Sequence, residues 1–89
     1  MDHLNLKLID LKILKLIDIL RGGEAEAPNF ILLFEDLNSG IENKIDLFEF
    51  NKLINNLIEL KYIIIYNIGY NIFVDFDFDN LNEEFYNIL

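Results

Sequence analysis

Three aspartates, Asp75, Asp77 and Asp79, alternate with Phe76 and Phe78 late in the 89-residue chain. Residues i and i+2 of an extended strand project to one face, so the spacing predicts a row of carboxylates on one side and rings on the other. Such a row can ligate a hard cation or can steer a basic surface by its field. The calcium pattern breaks down after its first three positions. Asn80 stands where an EF-hand loop needs glycine, and Tyr86 stands where it needs the bidentate glutamate. Electrostatic capture of a basic partner is the remaining reading, with Glu83 and Glu84 extending the acidic row. Glu24, Glu26, Glu35 and Asp36 form a second acidic block.

Catalytic chemistry has few candidates. The chain holds no cysteine, one histidine (His3) and one serine (Ser39). Ser39 stands beside Gly40, where turn chemistry accounts for it. No nucleophile elbow, phosphate-binding glycine loop or metal-ligand spacing occurs, and Gly22-Gly23 is too short for a phosphate cradle. Neither an enzyme nor a cofactor or metal is expected. Phe48 and Phe73 are the other residues with a functional signature. Phe48 falls on the polar face of a helical pattern, and Phe73 shares a strand face with Asp75 and Asp77. Exposed rings bordered by polar groups anchor protein interfaces, so both are expected to contact a partner unless another element covers them.

The elements that must position these residues are legible from periodicity. Residues 4–21 read as a helix stopped at Gly22-Gly23, with Leu6, Ile9, Ile13, Leu16, Ile17 and Leu20 on its core face. Leu4, Leu8, Leu11 and Ile19 form a second apolar stripe near Lys12 and Lys15. That stripe is either buried by a further element of the fold or is the seam of a homodimer. Residues 28–38 read as a second helix with Pro28 in its first turn, and residues 41–45 as a connector with room for a short strand.

A third helix is expected from Asp46 to about Leu60. Asp46 and Glu49 form a capping box, and Leu47, Phe50, Leu53, Ile54, Leu57, Ile58 and Leu60 share a face. The period then changes from 3.6 to 2. Residues 62–66 and 70–78 read as two strands around a turn at Asn67-Ile68-Gly69, with Ile72, Val74, Phe76 and Phe78 on one face. Asn80 with Glu83 marks a short C-terminal helix carrying Leu81, Phe85 and Ile88. The fold class is α+β, a single domain over residues 1–89: three helices, a β-hairpin and a short closing helix.

The order of these elements resembles a winged helix-turn-helix domain. The resemblance is carried by residues 46–76, where Leu53, Leu57 and Leu60 precede Lys61-Tyr62-Ile63 and a short wing. It implies that the third helix would lie in a DNA major groove and the wing would touch phosphate. The connector between the second and third helices, about eight residues, is longer than the three or four usual for a helix-turn-helix.

Charge argues for a different partner. The chain carries sixteen acids against seven bases, a net charge of -9. Phosphate neutralisation by Lys and Arg supplies most non-specific DNA affinity. The wing has no basic residue, and the third helix offers Lys52 alone against Glu49 and Glu59. The expected function is therefore a small protein-binding module of the inhibitor, immunity, antitoxin or adaptor kind that docks on a basic protein such as a nuclease or toxin. A dimeric winged-helix regulator reading DNA through Asn51, Asn55 and Asn56 is the alternative. Lys7, Asp10, Lys12, Lys15 and Asp18 interrupt the first apolar segment. Neither a signal sequence nor a membrane span is expected there, and a cytoplasmic location is.

Overall fold

The computed structural model describes residues 6–22, 27–81 and 85. Its elements run α1 (Leu8–Arg21), α2 (Phe30–Ser39), α3 (Leu47–Glu59), β1 (Ile63–Ile68) and β2 (Asn71–Phe76). The architecture is α+β, with β1 and β2 forming a two-stranded antiparallel hairpin. α1 packs on α2 and β2, α2 also packs on β2, and α3 packs on β1. No described helix is long and apolar enough to cross a membrane.

α1 begins later than its periodicity suggests. Leu6 and Lys7 precede the helix, and the expected start at Leu4 lies outside the described residues. Asp10 sets the start by turning its Oδ2 back to accept the Lys7 N–H at 2.9 Å. A carboxylate in the first turn also meets the positive end of the helix dipole. Asp10 is 1% exposed, and its Oδ1 meets no donor. The fully buried face is Ile13, Leu14 and Ile17. Leu14 lay outside the expected arc, and it is buried because α1 is covered by both α2 and β2. The helix ends at Gly22, whose φ of +48° suits glycine and whose N–H reaches the Asp18 carbonyl at 3.2 Å.

α2 starts at Phe30 rather than at Pro28 because Asn29 is its cap. The Asn29 Oδ1 accepts the N–H groups of Ile31 and Leu32 at 2.9 and 3.3 Å. Asn29 is extended. The Val74 N–H donates to the Pro28 carbonyl at 3.0 Å, and Asn29 bridges Phe73 in antiparallel fashion. A strand-like contact therefore sits on the outer side of β2, contributed by the α1–α2 connection and not by residues 41–45, which form no strand. Pro suits such an edge because it has no N–H to leave unpaired.

The α2–α3 connector is held by side chains. The Asn38 amide donates to the Ile45 carbonyl at 3.0 Å and accepts the Ile45 N–H at 2.9 Å. The Lys44 Nζ donates to the Asn38 and Ile41 carbonyls. The Lys44 contact with Asn38 satisfies a carbonyl at the end of α2, where the helix leaves it orphaned, and the Asn38 side chain fixes the connector at Ile45. α3 is capped by the Asp46 Oδ1, which accepts the Glu49 N–H at 2.8 Å. Phe50, Ile54 and Leu57 are buried on the expected face, while Leu47 at its start is exposed. Phe30 and Phe34 pack against Phe50 at 5.1 and 5.3 Å between ring centroids.

α3 closes in a full Schellman motif. The Tyr62 N–H bonds the Leu57 carbonyl and the Lys61 N–H bonds the Ile58 carbonyl, both at 3.0 Å. This places Lys61 at φ +66°, where glycine is the usual occupant. The strands differ from their expected bounds. β1 continues to Ile68, and the loop is Gly69-Tyr70, with Gly69 at φ +63°. Positive φ at the first central position alone is the type II′ pattern, which asks for glycine there. β2 stops at Phe76, and residues 78–80 turn. Only Ile63, Val74 and Phe76 of the hairpin are buried, so its base sits in the core and its tip protrudes. The expected C-terminal helix falls mostly outside the described residues. Of its apolar positions Leu81 is half-buried, Phe85 is buried and Ile88 lies outside.

Candidate functional site

The helical repeat of α3 exposes Phe48. With Phe50, Ile54 and Leu57 turned inward, a residue two positions before Phe50 lies about 200° away, facing out. Phe48 is 70% exposed. Lys52, one turn on, lays its Nζ 5.0 Å from the ring centroid, a cation–π geometry. Phe48 lines a shallow cleft with Phe30, Leu47 and Asn51. Phe30 ties this cleft to the core through its contact with Phe50. The first turn of α2 also exposes Ile31 and Leu32. Asp46 and Glu49, at the start of the same helix, are both exposed. An exposed ring on a helix, with apolar neighbours and polar Asn51 and Lys52 beside it, has the composition of an interface anchor.

The acidic row is only partly assembled. Asp77 extends the ladder parity of Asp75, since its N–H donates to the Tyr62 carbonyl at 2.9 Å. Asp79 does not, because the chain turns after Asp77 and strand alternation no longer applies. Asp75 is engaged inside the protein: its Oδ1 lies 3.0 Å from the Arg21 Nε and also accepts the Phe76 N–H at 2.8 Å. The Nε–Oδ1 contact is an ion pair off hydrogen-bonding angle. Asp77 accepts the Asn80 Nδ2 at 2.7 Å. Asp79 is exposed, and Glu83 and Glu84 lie outside the described residues. Among the described residues no group of three or more acidic or histidine side chains is placed to hold a metal ion.

Phe73 is half-buried and stacks on its cross-strand partner Tyr66, centroids 5.6 Å apart. One ring face is thus covered within the hairpin. Of the helix-1 stripe, Leu8 and Ile19 are exposed (72% and 69%), Leu11 is half-buried, and Leu4 lies outside the described residues. Lys12 and Lys15 are exposed between Leu8 and Ile19, so the stripe is apolar at its ends and cationic in the middle.

Among the described residues, three of the seven cations make contacts within the chain. Arg21 pairs with Asp75 and its guanidinium carbon sits 4.9 Å over the Phe78 ring. Lys44 closes the end of α2, and Lys52 covers Phe48. On α3, Asn51, Asn55 and Asn56 are exposed, as hydrogen bonding to base edges would require. The Arg21–Asp75 pair and the Asn38 clamp were not read from the sequence. A partner distant in the chain leaves no local signal, whereas an asparagine ending a helix is at least a cue for capping. Comparison with family models, curated proteins and solved structures finds no match to the chain.

Proposed function

We propose that the chain is a small protein-binding module, of the inhibitor, immunity, antitoxin or adaptor kind, and not an enzyme. It docks the α3 face centred on Phe48 onto a basic protein. The observation that carries the reading is the outward Phe48 ring, already stacked by the Lys52 cation and set in a cleft with Phe30, Leu47 and Asn51. A partner's Arg or Lys replacing Lys52 over that ring would gain the same cation–π contact with less competing water. The net charge of -9 steers such a partner at long range. Phe48 thus keeps the anchoring role expected of it, while of the acidic row Asp77 and Asp79 contribute field and Asp75 is held by Arg21.

We also read the fold as winged-helix-like. The Asn29–Phe73 bridge, falling between α1 and α2 on the outer edge of β2, and the protruding hairpin both support that reading. The exposed asparagines of α3 favour a second function, reading of DNA, which the single cation of α3, Lys52, and the absence of any in residues 62–74 weigh against.

Immobilised chain, incubated with protein from its source cell, separates the two. A basic protein held by the wild type and lost from Phe48→Ala supports docking through α3. Equal retention by both overturns it. Retardation of duplex DNA that is lost on Lys52→Glu supports the second reading instead.

A further inference from the structure

We propose that the outer edge of β1 pairs with β1 of a second copy of this chain, antiparallel and centred on Tyr66, so that two hairpins join into one four-stranded sheet. The parity of the ladder shows which backbone groups are available. Asp77 donates to the Tyr62 carbonyl, whereas Val74 turns its N–H away from β1 to the Pro28 carbonyl. With the register Ile64↔Asp75, Tyr66↔Phe73 and Ile68↔Asn71, Ile64, Tyr66 and Ile68 direct their backbone groups to β2. Ile63, Ile65 and Asn67 direct theirs outward. The Pro28–Asn29 segment covers the free side of β2. Among the described residues no strand covers the free side of β1.

Edge strands are ordinarily guarded by lysine, proline or a bulge. β1 reads Ile-Ile-Ile-Tyr-Asn-Ile, pairs in continuous register and has none of these. Past Ile63 it is exposed on both faces, with Ile65 at 44% and Ile68 at 62%.

Charge identifies the occupant. Residues 62–74 carry no charged side chain in a chain of net charge -9. A basic partner would gain no ion pair there. Two copies of an acidic chain, by contrast, approach with least repulsion where neither bears charge. The edge is also self-complementary. Centring on Tyr66 sets Ile65 of one copy opposite Asn67 of the other, both with outward backbone groups. It sets Ile64 opposite Ile68 and Tyr66 opposite Tyr66, β-branched and aromatic pairs of the kind that stabilise sheets. A two-fold axis closes this contact at two copies. The inference is independent of the Phe48 face, which lies on α3.

Sedimentation equilibrium of the full chain up to about 100 µM tests the pairing. The expected result is a dimer that Ile68→Glu and Asn67→Pro convert to monomer and that the double variant Leu8→Glu/Ile19→Glu leaves intact. Hydrogen exchange on the wild type gives a readout that no variant's folding can confuse. The Ile65 and Asn67 amides should be protected at high concentration and lose that protection on dilution, while the Tyr66 amide stays protected throughout. A wild type that is monomeric at about 100 µM overturns the proposal. So does a dimer that survives both hairpin variants or dissociates in the α1 double variant, growth into open-ended species, or free exchange of Ile65 and Asn67 at high concentration.

Discussion

The Arg21 Nε sits 3.0 Å from the Asp75 Oδ1 while the guanidinium carbon lies 4.9 Å over the ring of Phe78. The last residue of α1 is thereby tied to β2 and to the turn that follows it. Asp75, a member of the acidic row, is an internal fastener. Both side chains are partly shielded from solvent, so the pair should exceed an exposed salt bridge, at about 1 kcal/mol. Asp75→Asn is expected to lower the free energy of unfolding by about that amount, measured by urea titration. A double-mutant cycle with Arg21→Gln should return a coupling of similar size, and additive losses would show the contact to be idle.

Lys61 offers a stabilising substitution. Its φ of +66° is imposed by the Schellman closure of α3. A left-handed conformation costs a side-chain-bearing residue about 1–2 kcal/mol. Glycine would relieve that strain and lose roughly 0.4–1 kcal/mol to its greater freedom in the unfolded chain. Lys61→Gly should therefore raise stability by about 0.5–1 kcal/mol, seen as a higher urea midpoint with an unchanged slope. A lower midpoint would mean that the Lys61 side chain has a structural role.

Asn38 makes the converse case. Its amide holds both backbone groups of Ile45. Asn38→Ala removes both bonds and leaves a part-buried N–H and carbonyl unpaired, a loss of roughly 2 kcal/mol. Asn38→Asp keeps the acceptor and loses the donor, so it should fall between alanine and wild type. Chemical denaturation of the three proteins checks the order.

The elements were legible because each has a local cause. The inward positions Ile13, Ile17, Phe50, Ile54 and Leu57 repeat at helical spacing, and Asp46 marks the start of α3 by its own hydrogen bond. Val74 and Phe76 alternate as a half-buried strand must. Boundaries were less legible. Asn29, not Pro28, starts α2 because its side chain has two N–H groups within reach. Phe78 leaves the strand because the chain turns beyond Asp77. Phe48 was legible as an outward ring, since a residue on the polar side of a strongly amphipathic helix has nowhere to bury. The fate of Asp75 was not. Alternation gives its face but says nothing of Arg21, which packing alone brings to it. Leu14 was missed for the same reason: one helix face was expected to meet the core, and α1 is covered by two elements.

Phe48 and Asp75 separate a binding surface from a structural fastener. Phe48 is exposed, so Phe48→Ala should leave the free energy of unfolding, from urea titration, within about 0.5 kcal/mol of wild type. Calorimetric titration of the basic protein retained by the chain should then show the affinity of Phe48→Ala reduced roughly tenfold or more. The affinity of Asp75→Asn should stay within about twofold of wild type, as for a residue outside the interface. The reverse pattern, with Phe48→Ala binding normally and Asp75→Asn failing to bind while still folded, would contradict docking through α3.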